Sequence, residues 1–229
     1  VRSDKEPVHG AGGDGRRERE LAEAKGVGQL QERLNTPESG AYKFVGPDNL
    51  GGRTRALAYD IRFDGASNRI LIAGGISGGI YKSVDDGANW VRKSPIGDLF
   101  NVSALAQDTR AGSRDTWYYA GGEFSGNSAS GSGASYRGKG VYKSTDNGET
   151  WTFMPASNTG VLESFDHRAD YVQRLVVDST NGNVYMAAID AIYRSTDGGS
   201  NWGIVLTSGS SGFGTGMPTD IVVTSGGRL

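Results

Sequence analysis

The chain has 229 residues, of which 37 are Gly, 6 are Pro and none is Cys, with 24 basic against 26 acidic side chains. That length holds one large or two small domains, and the near-neutral balance leaves no electrostatic footprint for nucleic acid or an anionic membrane. Absence of Cys excludes a disulfide framework and thiol chemistry, and no apolar run approaches the roughly 18 residues that span a bilayer.

Residues Val1 to Gly15 are polar and Gly-rich and read as a disordered lead, in which His9 has no assigned role. The chain begins at Val with no signal-peptide core, as a processed or trimmed product would. From Arg16 to Leu34, Leu21, Ala24, Val27, Leu30 and Leu34 recur at helical intervals and form one apolar stripe. Arg16 with Glu20 and Arg19 with Glu23 add i,i+4 pairs, while Gly26 and Gly28 divide the segment into one helix or two short ones. The expected role is a helix packed on the following domain, with partner binding as the alternative. A linker with Pro37 then separates residues 1–40 from a β-rich region at 41–229, which opens on a strand at Tyr42 to Val45.

A four-strand module recurs from there. Its first copy predicts strands at Arg55 to Asp60, Arg69 to Gly74, Gly79 to Ser83 and Asn89 to Lys93. The second predicts Val102 to Asp108, Thr116 to Gly121, Gly140 to Ser144 and Thr150 to Met154. The third predicts Val172 to Asp178, Asn183 to Ala188, Ala191 to Ser195 and Asn201 to Leu206. A fourth begins at Thr219 to Val223. The three full modules fall at about 53–95, 101–156 and 171–207.

Between the third and fourth strands of each module stands one octet: SVDDGANW from Ser83 to Trp90, STDNGETW from Ser144 to Trp151, STDGGSNW from Ser195 to Trp202. The shared pattern S-x-D-x-G-x-x-W is a hairpin turn. Asp85, Asp146 and Asp197 can accept hydrogen bonds from turn amides, and Gly87, Gly148 and Gly199 supply positive φ. Ser83, Ser144 and Ser195 can bond the same backbone, and Trp90, Trp151 and Trp202 can pin each hairpin to its sheet. Calcium binding is the functional alternative, but the octets share only one Asp and lack the distal Glu that an EF-hand loop needs. No metal or cofactor is expected.

This octet resembles the Asp-box, or bacterial neuraminidase repeat, which lies on the hairpin between the third and fourth strands of a β-propeller blade. The octets begin at 83, 144 and 195, a spacing that suits blades of four strands each. The extra length in the second module is the insertion GEFSGNSASGSGASYRGK, Gly122 to Lys139. The fold implied is all-β: about three blades of a propeller, with two open edges. Either the chain is the N-terminal part of a longer protein, which is the preferred reading, or other chains complete the ring. The resemblance extends through PDNLGGRTRALAYD, AGGISGGIYKS and NVSALAQD to the start of large sortilin-like proteins that Bacteroidetes-type bacteria export by the type IX route. It covers roughly Tyr42 to Leu229 and implies a secreted or cell-surface protein of a Gram-negative bacterium.

The family does not fix an activity, since sialidases, sortilin ectodomains, xyloglucan-degrading hydrolases, photosystem assembly factors and non-enzymatic surface proteins all carry the repeat. The Arg-Ile-Pro signature of sialidases is missing. The catalytic Asp of the xyloglucan hydrolases would fall near Ile76, where no carboxylate stands. Three polar sets remain. Arg53 and Arg55 either bind an anionic group at the propeller mouth or, the preferred reading, pair with a neighbouring blade. Glu123 either lines the mouth or is a loop acceptor. Glu163, Asp166, His167 and Asp170 offer acid–base or metal chemistry, though a solvated loop is the preferred reading. The leading function is a non-enzymatic scaffold or binding module with a protein or glycan partner at the propeller face. Alternatives are a glycan-acting hydrolase completed by absent blades, and a component or client of the type IX secretion complex.

Overall fold

The computed structural model describes residues 53–94, 101–124, 135–160, 166–207, 220–224 and 226–228. All of them lie in one compact unit, Val45–Leu229. The expected helical stripe, the strand at Tyr42, the centre of the insertion, Glu163 and Thr219 fall outside the described residues.

Among the described residues, twelve strands make three antiparallel sheets, each in simple sequential order. Blade 1 holds β1 (Thr54–Tyr59), β2 (Leu71–Gly75), β3 (Gly79–Ser83) and β4 (Val91–Arg92). Blade 2 holds β5 (Ala104–Gln107), β6 (Trp117–Ala120), β7 (Val141–Ser144) and β8 (Thr152–Phe153). Blade 3 holds β9 (Val172–Val177), β10 (Val184–Ala188), β11 (Ala191–Ser195) and β12 (Gly203–Thr207). The first strands of the blades lie side by side, with β5 against both β1 and β9. Successive sheets therefore stack about a common inner edge, as blades of a β-propeller do.

Side chains that alternate along each strand feed separate cores on the two faces of the sheets. Ile72 and Ile80 of blade 1 pack with Val102, Trp117, Tyr119, Tyr142 and Trp151 of blade 2. The opposite face of blade 2, through Tyr118, Ala120 and Val141, packs with Leu175, Val184, Met186 and Tyr193 of blade 3. Backbone bonds repeat at the same place: Val102 N–H donates to Gly75 O at 2.9 Å, and Val172 N–H to Gly121 O at 3.1 Å.

The fourth strands differ from the sequence expectation. They begin after the Trp rather than before it, and β4 and β8 are only 2 residues long. The cause is the octet, whose Asp carboxylate still holds the amide of Asn89, Thr150 or Asn201 within the turn. Residues 220–224 carry no strand either, although Ile221 packs on Tyr185, Ala187 and Ile192 of blade 3. No second strand pairs with that segment among the described residues.

Candidate functional site

The octets form one local design three times. Ser83, Ser144 and Ser195 Oγ donate to the Asp two residues on at 2.7 to 2.8 Å and accept from the Gly amide four residues on at 2.8 Å. Each Asp carboxylate then takes the amide and side chain of the residue before the Trp. Asn89, for Asp85, and Asn201, for Asp197, hold these carboxyls down at about 2. Asp146 also lies at about 2, because Thr150 and Ser144 outweigh a burial contribution that pushes it up. In each octet the Asp carboxylate is engaged with its own turn.

The octets also join blades. Lys82 Nζ donates to Asn147 O at 2.8 Å and pairs with Glu149 at 2.7 Å, so blade 1 grips the hairpin of blade 2. Lys143 Nζ donates to Gly198 O at 2.9 Å, so blade 2 grips the hairpin of blade 3. Asn147 itself accepts from Trp117 Nε1 and donates to Asp60. Arg62, Gln107 and Asn147 together outweigh the burial that would raise Asp60, and its carboxyl lies far below the usual range. The sequence reading missed this role, although a cation precedes every octet: Lys82, Lys143 and Arg194.

At the end of the blades where the first strands begin, Arg53, Arg55 and Glu123 come together. Gly121 and Gly122 carry the chain past β6, and Gly122 has φ +100° beside the backbone of Asp170 and Tyr171, where a Cβ would collide. Its amide is fixed by Asn101 Oδ1 at 3.0 Å. Glu123 is thereby turned into the interface with no side-chain exposure, while Arg53 and Arg55 are 38% and 37% exposed. Glu123 Oε2 accepts from Arg53, and Oε1 lies 3.1 Å from Arg55 Nη1 as a charge contact without hydrogen-bond alignment. A buried carboxylate requires such partners, because desolvating it alone is costly. Arg55 also reaches Gln173 Oε1 at 3.5 Å, and Gln173 Nε2 is buried without a partner.

The insertion is anchored on this cluster. Glu123 and Tyr136 exchange backbone hydrogen bonds of 2.7 and 2.8 Å, and Asn101 donates to Arg137 O. Phe124 and Tyr136, 41% and 39% exposed, stand beside the cluster at the base of the insertion. This end of blades 1 and 2 thus carries two guanidiniums on one carboxylate, and the Phe124 ring lies edge-on to Tyr171.

The other predicted set has a different role. His167 caps a short 3-10 turn at Arg168–Asp170, accepting from Ala169 N–H at 3.0 Å. Asp170, fully buried, accepts from Asn158 and from the amides of Asp166 and His167. Burial lowers the His167 pKa. No group of His, Cys, Asp and Glu among the described residues is placed to hold a metal ion. Ile76, at the position compared with a hydrolase Asp, is buried in the turn after β2.

No family model and no curated protein matches this chain. Solved structures do. An ancestral GH74 enzyme aligns with TM-score 0.51 and 22% identity, over 67% of this chain and 18% of that one. A GH74 xyloglucanase from Xanthomonas campestris aligns with TM-score 0.44 and 20% identity, over 67% and 20%. YCF48 from Cyanidioschyzon merolae gives 0.43 and 14%, over 69% and 38%. The match to the ancestral GH74 enzyme supports the fold and carries no activity with it. The chain spans about a fifth of the GH74 proteins and under two fifths of YCF48.

Proposed function

We propose that this chain is a non-enzymatic binding module built from Asp-box propeller blades, part of an exported or cell-surface bacterial protein. Its binding face is the mouth around Arg53, Arg55 and Glu123, and its partner is a protein or glycan. The observation that carries the reading is the position of Glu123. Hydrolysis of a glycoside needs a carboxyl group within reach of the scissile oxygen. Glu123 has no side-chain exposure and faces two guanidiniums, so it is a clamp between blades 1 and 2. What solvent reaches at the mouth is the remaining donor capacity of Arg53 and Arg55 and the rings of Phe124 and Tyr136. Exposed aromatics beside arginines are the residues that carry binding energy at recognition surfaces.

The test is retention of the chain on immobilised glycan and peptide arrays, repeated with Phe124→Ala and Tyr136→Ala. These side chains are partly exposed, and circular dichroism of each variant checks that the sheet is retained, since Phe124 also packs edge-on to Tyr171. The expected result is binding that either variant weakens by about tenfold, the loss of about 1.4 kcal/mol. Binding that both variants leave unchanged would move the site away from the mouth.

A further inference from the structure

His167 stands at the head of the turn that seats the insertion. A backbone N–H can only donate, so the bond from Ala169 N–H at 3.0 Å fixes His167 Nδ1 as a bare acceptor, with the ring proton on Nε2. Ser or Asn is usual at such a cap and accepts at any pH. A histidine caps only while its ring is neutral. The reciprocal half of the capping box is Asp170, whose carboxylate takes the His167 amide at 3.2 Å.

Both arms of the insertion lean on this turn. Asp170 O accepts from Gly138 N–H at 2.6 Å, and the backbone of Asp170 and Tyr171 closes over Gly122. Tyr171 carries the Phe124 ring edge-on, with centroids 5.3 Å apart. Ala169 and Asp170 are fully buried. An Ala169 amide that loses its acceptor is left unsatisfied in that setting, and the turn has to open to give it water.

Asp166, Arg168 and Asp170 surround the imidazole from its own segment, and Tyr193 of β11 lies against the ring, with centroids 5.9 Å apart. Strand β10 touches the turn and shares its core through Met186 and Ala188, which do not ionise. Burial is the largest influence and holds the His167 pKa below the ordinary value near 6.5, while Asp170 and Asp166 pull it up and Arg168 pushes it down. A histidine of lowered pKa binds its proton more readily once the turn is open. The cap is therefore whole above about pH 6.5 and is lost as pH falls below it.

We propose that His167 is an acid-release latch for the binding face: a proton on Nδ1 frees the Ala169 amide, the turn opens, and Phe124 and the base of the insertion lose their seat. The inference rests on the mouth being the binding face, so that a partner held there at neutral pH is released in acid.

The test is amide hydrogen exchange of the whole chain at about pH 7.5 and about pH 5.5, on either side of the histidine range. It is read as protection factors, which removes the intrinsic pH dependence of exchange and reports local opening. Retention on the same glycan and peptide arrays is measured at both pH values. The expected result is that protection of the Ala169 and Gly138 amides falls at least about tenfold at the lower pH, and that retention falls with it. In His167→Asn, whose side-chain oxygen caps without titrating, both keep their neutral-pH values. Unchanged protection of Ala169 in the unaltered chain overturns the proposal. An equal fall in His167→Asn also overturns it and places the titrating group elsewhere. Retention that persists at the lower pH while protection falls overturns the link to the mouth. A chain retained on no array at the higher pH fails the binding reading instead, and the exchange result still decides the latch.

Discussion

Blade 2 and the blades on either side of it carry nearly the same octet and meet different fates. Trp151 is buried to 7% exposure against blade 1, and all of β6 is buried. Trp90 and Trp202 are half-buried, and β12 is exposed along its length. The internal bonds of the three turns nevertheless match within a few tenths of an ångström. The turn is therefore a local property of S-x-D-x-G, while the burial of its Trp is not: Trp202 packs on the core of blades 2 and 3 and stays half-buried, as Trp90 does with no described blade at its octet. Blade 2 has both neighbours, blade 3 has one behind its octet, and blade 1 presents its octet to no described blade.

Four outcomes sharpen or break that contrast. Trp151→Ala should cost about 3–5 kcal/mol of unfolding free energy, as for a large core aromatic, whereas Trp90→Ala should cost about 1 kcal/mol or less. Equal losses by chemical denaturation would mean that the Trp acts within its own hairpin. Gly148→Ala meets both a φ of +81° and the Ile72 side chain, and Gly87→Ala meets a φ of +84° and only the edge of Trp90. The first should therefore cost about 1–3 kcal/mol more, the range for overpacking.

Lys82→Met removes the bonds to Asn147 and Glu149 from a nearly buried site and should lower stability by about 1–3 kcal/mol. Arg194→Met, at the equivalent exposed position, should change it by less than about 0.5 kcal/mol. The smallest effect is acid sensitivity. Asp85, Asp146 and Asp197 fall from an unfolded value near 4 to about 2 on folding. A depressed carboxyl pKa stabilises above the unfolded value and is lost as pH falls through the folded one. Thermal stability should thus decline between about pH 4 and 2, and Asp85→Asn should flatten part of that decline.

The fold was legible because the octet states a turn completely. Ser, Asp and Gly at fixed offsets need only their own backbone, and alternating apolar residues on either side need only a sheet. The ends of the fourth strands were not legible, since the Asp holds two more residues in the turn than the strand pattern suggests. The site was legible as residue types and not as geometry. Arg53 and Glu123 are 70 positions apart, and only the stacking of two blades brings them together. Asn101, Gln173, Phe124 and Tyr136 carry no motif at all. Lys82 and Lys143 did carry one, a cation before every octet, whose meaning lies in the next blade and not in the local sequence.

The most direct measurement of the functional reading is turnover by the chain on the glycans it retains. Reducing ends released from a bound glycan would be quantified for the unaltered chain and for Glu123→Gln. The reading of Glu123 as a clamp predicts retention with no release from either protein, and a loss of stability in the variant, because the two guanidiniums lose their carboxylate. Release of reducing ends that Glu123→Gln abolishes, while the variant stays folded and still binds, would contradict it and place a hydrolase at the mouth.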